Sequence, residues 1–118
     1  MRLNKRTLGS EEETVAVDYL KREGFTILER NFRSRTGEID IVCKEGPYLV
    51  FTEVKFRKNA AFGDPAEAVG PMKQKKIFDT ARFYLLKRGI AADCPVRFDV
   101  VAILGTEVKL YRNAFVPF

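Results

Sequence analysis

Residues 39–56 carry the pattern that most limits the fold of this chain. Two mainly apolar segments with strand-like alternation, residues 39–43 and 48–56, are separated only by the short connector Lys44-Glu45-Gly46-Pro47. Glycine and proline in so short a connector are typical of a turn between two strands. The sequence therefore predicts that the two segments pair as an antiparallel hairpin.

Two helices and three further strands are predicted around this hairpin. The first helix spans residues 10–23 and ends at Gly24, and the second starts at Pro71, behind Gly70 at its cap, and runs to residue 88. The other strands are predicted at residues 25–32, 96–104 and 108–111, and a loop at residues 57–69. This order predicts an α/β fold, in which a central mixed sheet is flanked by helices.

No low-complexity linker or long-period repeat divides the 118 residues, so a single domain over residues 1–118 is expected. Cys43 and Cys94 lack metal-ligand spacing and are expected to be free thiols in a reducing cytosol. The longest apolar runs are too short to cross a bilayer, and no apolar signal-peptide core precedes them. We therefore expect a cytoplasmic protein with no membrane association.

The chain contains no histidine. Histidine-based nucleophile relays, histidine-ligated zinc and a histidine general base at neutral pH are therefore excluded. Any catalysis by this chain has to use carboxylates, lysine, hydroxyl groups or a hard metal ion.

Strand alternation places four charged residues on one face of the predicted hairpin. If the turn centres on residues 46–47, Asp40 faces Glu53 and Glu38 faces Lys55. Directly opposed residues of an antiparallel pair share a face, with Cβ atoms ~4.5–5.5 Å apart. We therefore expect these four side chains to form one polar cluster.

Asp40 and Glu53, so placed, repel each other by roughly 4 kcal/mol at 4 Å in an effective dielectric of about 20, and a divalent cation would relieve this repulsion. Oxygen-only ligands favour Mg²⁺ or Mn²⁺ over zinc, and these ions are commonly shared with substrate phosphate. Lys55 is suited to position or activate a water and to offset charge on a phosphoryl group. The cluster is typical of a metal-assisted phosphodiesterase site, and the alternative is a solvent-facing cross-strand salt bridge.

The segment Thr52-Glu53-Val54-Lys55 recurs as Thr106-Glu107-Val108-Lys109. In the second copy the glutamate adjoins a turn at Gly105, and Asp99 lies too far back to oppose it across so short a hairpin. The two charged residues of the second copy, Glu107 and Lys109, are therefore predicted to lie on the surface, and the first copy is the better candidate.

One polar residue lies on the core-facing stripe of each helix. Glu13 shares the stripe of the first helix with Ala16 and Leu20, and it is either a third acid at the metal cluster or a carboxylate that interacts favourably with the helix dipole. Gln74 lies near the start of the second helix. It is either a candidate catalytic residue that holds a phosphate or a water, or a buried amide bonded to the backbone.

The basic residues, which give a net charge of +5, fall into three groups. They lie before the hairpin, after it and at the start of the second helix: Arg30, Arg33 and Arg35; Arg57 and Lys58; Lys73, Lys75 and Lys76. Each group alone is consistent with a solvated surface, but together they flank the elements that carry the acid cluster. This arrangement predicts contacts with a phosphate backbone, without sequence-specific reading of bases.

Ordered motifs along nearly the whole chain resemble those of the YraN family of small bacterial proteins. The motifs are Glu13-x-x-Ala16-x-x-Tyr19-Leu20, Arg30-Asn31-Phe32-Arg33, Gly37-Glu38-Ile39-Asp40, Phe51-Thr52-Glu53-Val54-Lys55-x-Arg57, Phe62-Gly63, Lys73-Gln74, Arg97-Phe98-Asp99-Val100-Val101 and Asn113-Ala114-Phe115. That family in turn resembles a branch of the PD-(D/E)xK nuclease superfamily, and its pattern is closest to that of archaeal Holliday junction resolvases.

The resemblance implies a restriction-endonuclease-like three-layer core of order αβββαβ, followed here by a C-terminal strand. It implies that Asp40, Glu53 and the carbonyl of Val54 bind the metal, that Lys55 is the catalytic lysine and that Glu13 is the helix-borne acid. The implied activity is Mg²⁺- or Mn²⁺-dependent hydrolysis of DNA, including branched DNA. Because resolvases act on two-fold symmetric junctions, the resemblance also implies a homodimer.

Two other functions remain open on the sequence alone. A nucleic-acid-binding module of a repair, uptake or processing complex would keep the fold without turnover. A protein-interaction scaffold would use exposed aromatic residues at the C-terminus, namely Phe115 and Phe118.

Overall fold

The structure is a computed structural model that describes residues 5–57 and 69–117, with side chains from residue 11 onward. Its elements, in chain order, are α1 (Lys5–Arg22), β1 (Thr26–Ser34), β2 (Gly37–Glu45), β3 (Tyr48–Arg57), α2 (Pro71–Lys87), β4 (Val96–Leu104) and β5 (Glu107–Tyr111). The predicted order of helices and strands is confirmed. Residues 58–68 of the predicted loop lie outside the described residues.

Several element boundaries differ from the predicted ones by one to five residues. Helix α1 begins at Lys5 rather than at Ser10, because its polar first turn has no apolar spacing that would reveal it. Strand β1 continues to Ser34, and β2 already begins at Gly37. The chain between them is therefore a tight turn, and Glu38 lies in the sheet at the start of β2.

The five strands form one mixed sheet in the order β1-β2-β3-β4-β5. Strands β1, β2 and β3 pair antiparallel in succession, and β4 pairs antiparallel with β5. Strands β3 and β4 pair in parallel, from Leu49–Val96 to Arg57–Leu104. A parallel pair needs a crossover connection, and α2 lies in the chain between these two strands.

The register predicted for the central hairpin is confirmed. The pairs run from Glu45–Tyr48 at the turn to Ile41–Thr52. Gly46 takes a positive φ of 57°, which glycine adopts without steric cost and which suits the two-residue connection. Asp40 and Glu53 lie one position beyond the last of these pairs, and Glu38 and Lys55 lie further out, so neither predicted opposition is itself a ladder pair.

Helices α1 and α2 cover opposite faces of the sheet. Neighbouring residues of β3 show this arrangement, because Phe51 contacts Tyr84 of α2 with ring centroids 5.6 Å apart, whereas Val50 belongs to the cluster around Leu20 of α1. Alternation of side chains along a strand sends these two residues to different faces. The result is the predicted three-layer arrangement of helix, sheet and helix.

The C-terminal segment corrects one expectation. Phe115 is only 8 % exposed, so its predicted role as an exposed aromatic of an interaction surface is wrong. The segment folds back because the N–H of Ala114 donates to the carbonyl of Phe98 at 2.8 Å, and Phe115 then stacks on the Phe98 ring. Phe118 lies outside the described residues.

An ion network joins the turn end of the hairpin to β4. Asp99 is fully buried, accepts hydrogen bonds from Arg97 through both oxygens at 2.8 Å, and also accepts the N–H of Asn113 at 2.9 Å. Arg97 reaches Glu45 at 2.8 Å, and Glu45 is held in turn by Arg112. Asp99 is therefore occupied in holding strands together.

The predictions for the cysteines and for the second copy of the Thr-Glu-Val-Lys segment are confirmed. Cys43 and Cys94 are free thiols. Glu107 and Lys109 are exposed, with Glu107 paired to Leu104 beside the turn. Among the described residues, no helix combines the length and the apolar character that crossing a membrane requires.

Candidate functional site

Strands β2 and β3 meet through a side chain where their regular pairing ends. Beyond the Ile41–Thr52 pair, the N–H of Val54 donates to Oδ2 of Asp40 at 2.8 Å. A carboxylate thus takes the place that a backbone carbonyl would have in a continued ladder. This bond fixes Asp40 beside the segment of β3 that carries Glu53 and Lys55.

Glu53 is the most deeply buried carboxylate of the site, with its side chain 7 % exposed. Its Oε1 atom lies 2.6 Å from Nζ of Lys73 and 3.6 Å from Nζ of Lys55. Lys73 belongs to the first turn of α2, so the start of this helix closes over the acid. The burial of a charged carboxylate is offset here by two ammonium groups.

Glu13, Glu38 and Asp40 form a second set of carboxylates next to Glu53. One oxygen from each of the three lies within 4.8 Å of the other two. Among the described residues, Oε1 of Glu13 is buried and has no hydrogen-bond partner, and Nη2 of Arg30 lies 3.9 Å from it. Three converging carboxylates, one of which carries an unsatisfied oxygen, fit a hard divalent ion such as Mg²⁺ or Mn²⁺.

The electrostatics of the acids reflect this crowding. Burial, and next the charge of Glu53, raise the pKa of Asp40 to about 7, although the hydrogen bond from Val54 opposes the rise. Burial also raises the pKa of Glu13, against the opposing charge of Arg30. Acids whose ionised form is disfavoured in this way gain from a nearby cation.

The two lysines respond in opposite directions. Burial lowers the pKa of Lys55, and the neighbouring Lys73 lowers it further. Burial is the largest single influence and would lower the pKa of Lys73, but its hydrogen bond to Glu53 and the charges of Glu53 and Asp40 together outweigh burial, so this pKa lies above the usual value. Lys73 is thus the firmly charged partner of Glu53, and Lys55 is the more easily deprotonated amine.

Three of the acids, Glu38, Asp40 and Glu53, line a small cavity that continues into a basic cleft. The cavity, of about 160 Å³, is lined by Gly37, Glu38, Asp40, Glu53, Lys73, Lys76 and Ile77. The cleft, of about 420 Å³, is lined by Arg33, Ser34, Arg35, Thr36, Gly37, Glu38 and Lys76. Because three residues line both spaces, a chain of phosphates lying in the cleft would reach the acids.

Only part of the predicted basic surface lines this cleft. Arg33, Arg35 and Lys76 do, and Arg33 lies 3.4 Å from Glu38. Lys75 is exposed on α2, and Lys58 lies outside the described residues.

Three other basic residues have partners within the protein. Nη2 of Arg30 donates to Oγ1 of Thr14 at 3.2 Å. Nη1 of Arg57 donates to the carbonyl of Phe56 at 2.7 Å, and Lys73 holds Glu53. Fewer of the predicted basic residues therefore line the cleft than their positions in the sequence suggest.

Gln74 makes a structural contact. Its Nε2 donates to the carbonyl of Val69 at 2.7 Å, and its own N–H donates to the carbonyl of Gly70 at 2.9 Å. The observed contact is the one expected of a buried amide bonded to the backbone.

Thr80 supports the site, although the sequence pattern did not single it out. This buried residue of α2 donates from Oγ1 to the carbonyl of Lys76 at 2.7 Å and accepts from Oγ of Ser34 at 3.3 Å. It also shares a hydrogen bond of 2.8 Å with Thr36. These hydroxyl groups attach the β1–β2 turn, and with it Glu38, to α2. The sequence feature that could have identified Thr80 is a polar residue between Ile77 and Tyr84 on the core-facing stripe of α2.

Comparison with known sequences places this chain in a family. A profile of the uncharacterised protein family UPF0102 matches residues 12–103. A UPF0102 protein of Lachnoclostridium phytofermentans is 49 % identical over 113 residues, which cover 96 % of each chain. A UPF0102 protein of Clostridium botulinum strain Hall is 47 % identical over 116 residues, covering 93 % of this chain and 94 % of the relative. The match extends over the helices and strands that build the acid cluster, and the chain belongs to the UPF0102 family, the family to which YraN belongs.

Proposed function

We propose that this protein is a metal-dependent endonuclease of the PD-(D/E)xK type that hydrolyses phosphodiester bonds in DNA. The observation that carries the proposal is the convergence of Asp40, Glu53 and Lys55 from two paired strands with Glu13 from the helix on the other face. The order of elements agrees with the αβββαβ core that the resemblance implies.

The oxygen donors suit Mg²⁺ or Mn²⁺. Asp40, Glu53 and Glu13 would hold the ion together with the carbonyl of Val54, and Glu38 is near enough to Asp40 and Glu13 to join them. A bound ion of this kind polarises a phosphoryl oxygen and lowers the pKa of a bound water. The unsatisfied oxygen of Glu13 is the feature of this chain that such an ion would complete.

Lys55 is the candidate for handling the proton of the attacking water. It lies on the same face as Glu53, and its lowered pKa makes the neutral amine, the form that accepts a proton, easier to reach. In its charged form it would stabilise the negative charge that develops on the phosphoryl group.

The basic cleft supports a polyanionic substrate. Arg33, Arg35 and Lys76 border the cleft that leads to the acids. Their positive charges suit contacts with backbone phosphates, which carry no base sequence information. Branched DNA is the substrate that the likeness to resolvases suggests, and a homodimer would match its two-fold symmetry.

A cleavage assay tests the proposal. Linear duplex and four-way junction DNA are incubated with the protein and Mg²⁺ or Mn²⁺, and Asp40→Ala and Lys55→Ala should each abolish product. The repeated segment provides a matched control, because Lys109→Ala removes the same residue type from an exposed strand and should leave cleavage intact. Unchanged cleavage by both Asp40→Ala and Lys55→Ala would contradict the assignment.

A nucleic-acid-binding module without turnover is the second candidate. The observation that favours it is the engagement of Glu53 by two lysines, which occupy an oxygen that a catalytic metal would use. Such a protein would bind DNA with a steep salt dependence and would yield no product with either ion.

A further inference from the structure

We propose that Lys73 is an internal counter-ion of the acid cluster, and that its ammonium group must leave Glu53 before a divalent cation can use that carboxylate. The inference rests on the proposed function, since it takes the cation to bind at the same acids. It adds a competition between a side chain and the metal, which controls how readily the site is loaded.

The contact geometry is the first argument. Nζ of Lys73 lies 2.6 Å from Oε1 of Glu53, and Nζ of Lys55 lies 3.6 Å from the same atom. A metal ligand bond of about 2.0–2.1 Å to Mg²⁺ needs this oxygen and would place the ion next to both ammonium groups. Since like charges at such separations repel strongly in a buried site, at least one ammonium has to withdraw.

Exposure decides which lysine withdraws. The side chain of Lys73 is 46 % exposed and stands on the first turn of α2, whereas that of Lys55 is 16 % exposed within the sheet. A half-exposed lysine has a flexible stem and a nearby aqueous position for its charge. Lys73 therefore moves out, and Lys55 stays beside the acids.

The place to which Lys73 moves is also suited to its charge. Lys73 and Lys76 line the same small cavity, and Lys76 also lines the basic cleft. An ammonium released from Glu53 at this cavity is available to a phosphate that enters through the cleft. Metal loading thus converts a counter-ion of the protein into a contact for the substrate.

Metal affinity provides a test that does not depend on cleavage. Mn²⁺ binding is measured by titration calorimetry on the wild type, Lys73→Met and Lys75→Met. Lys75 is an exposed residue two positions further along α2, so both variants change the net charge equally. We expect Lys73→Met to bind Mn²⁺ at least about fivefold more tightly than the wild type, which is the lower end of the range of coupling between two binding events in a protein. Lys75→Met should bind Mn²⁺ as the wild type does.

A double-mutant cycle tests whether the effect passes through Glu53. In a Glu53→Gln background, Lys73→Met should no longer change Mn²⁺ affinity, because the contested carboxylate is gone. Lys73→Arg keeps the cation and should bind Mn²⁺ no more tightly than the wild type, which assigns any gain in Lys73→Met to the lost charge, and thermal unfolding of Lys73→Met checks that this variant is folded. Equal affinities of Lys73→Met and Lys75→Met, or no Mn²⁺ binding by Lys73→Met, would overturn the proposal.

The outcomes separate this inference from the nuclease assignment. Tighter Mn²⁺ binding by Lys73→Met without cleavage of any DNA would support the role of Lys73 as a counter-ion and contradict the proposed nuclease activity. Metal-dependent cleavage with identical Mn²⁺ affinities in Lys73→Met and Lys75→Met would support the nuclease activity and contradict the role of Lys73 as a counter-ion.

Discussion

The carboxylate of Asp40 accepts the backbone N–H of Val54 across the point where β2 and β3 stop pairing. The hydrogen bond fixes the Asp40 carboxylate where its charge lowers the stability of the fold, because burial and the nearby Glu53 disfavour the charged form and raise its pKa to about 7. A group with a pKa raised in the folded state binds a proton that the unfolded chain releases near pH 4. Its contribution to stability therefore falls as the pH rises from about 4 to about 7, and the penalty persists above that range.

Asp40→Asn should remove this penalty while the amide oxygen still accepts the N–H of Val54. We expect the metal-free variant to be more stable than the wild type at pH 8, by up to about 4 kcal/mol, since the pKa of Asp40 rises from near 4 to about 7 and each unit of pKa corresponds to about 1.4 kcal/mol. At pH 4 the two proteins should unfold alike. Thermal unfolding in the presence of a chelator measures both.

Asp18→Asn is the control for that experiment, because Asp18 is an exposed carboxylate on α1. It should not change the difference between pH 4 and pH 8. A loss of stability at pH 8 in Asp40→Asn would show that the carboxylate contributes more as an anion than burial costs it.

Glu45 should give the opposite dependence on pH. Its hydrogen bond from Arg112, and then that from Arg97, lower its pKa to about 2. Stability from a lowered carboxyl pKa is present above the unfolded value near 4.5 and disappears as the pH falls toward 2. Glu45→Gln should therefore cost about 1–2 kcal/mol at pH 7 and little at pH 2, as measured by urea unfolding.

The exposed Glu107 on β5 serves as the matched residue for Glu45. Glu107→Gln removes the same charge and should change stability by less than about 0.5 kcal/mol. Equal effects of the two substitutions would mean that the arginine network stabilises nothing beyond the general charge balance.

Thr80→Val should loosen the β1–β2 turn. The substitution keeps the shape of the side chain but leaves Ser34 and Thr36 without their shared partner on α2. We expect a decrease of about 1–2 kcal/mol in the free energy of unfolding, measured in urea. Because the same turn carries Glu38, Mn²⁺ affinity should fall as well.

Thr106→Val, in the exposed β4–β5 turn, controls for the change of threonine to valine. It should leave both unfolding and Mn²⁺ affinity near the wild-type values. A Thr80→Val protein that is less stable but keeps its Mn²⁺ affinity would separate Thr80 from the site.

Arg33 and Arg35 should supply salt-dependent affinity for DNA. The double substitution Arg33→Ala/Arg35→Ala is expected to weaken DNA binding, measured with a chelator present so that no cleavage occurs. It should also reduce the slope of log K against log salt concentration by about one for each phosphate that is no longer neutralised. The double variant Arg82→Ala/Lys109→Ala removes the same charge from exposed positions away from the cleft and should leave the slope near that of the wild type. Fluorescence anisotropy at several salt concentrations measures both, and identical slopes would exclude the cleft as the path of the backbone.

Local pattern was enough to predict the acid hairpin. Strand alternation and the position of the turn fix which residues oppose each other, so the register that brings Asp40 toward Glu53 follows from residues 39–56 alone. Glu13 could also be singled out, because a carboxylate on a core-facing helical stripe is unusual.

Contacts between distant elements could not be predicted in the same way. The ion pair between Lys73 and Glu53 depends on how α2 docks over β3, and nothing in the spacing of the lysines distinguishes Lys73 from Lys75. The burial of Phe115 likewise depends on a backbone hydrogen bond to β4. In both cases tertiary packing, which local periodicity does not encode, decides the outcome.

The order of strands in the sheet has a consequence for folding kinetics. Because the strands neighbour each other in space in the same order as along the chain, β1 to β3 can assemble from local contacts, and the β3–β4 pairing is the step that must close a long loop. We therefore expect the acid hairpin to form before that closure, whereas Lys73, which neutralises Glu53, arrives with α2. Mutual repulsion of the acids therefore acts on the early hairpin, and Asp40→Asn should accelerate refolding.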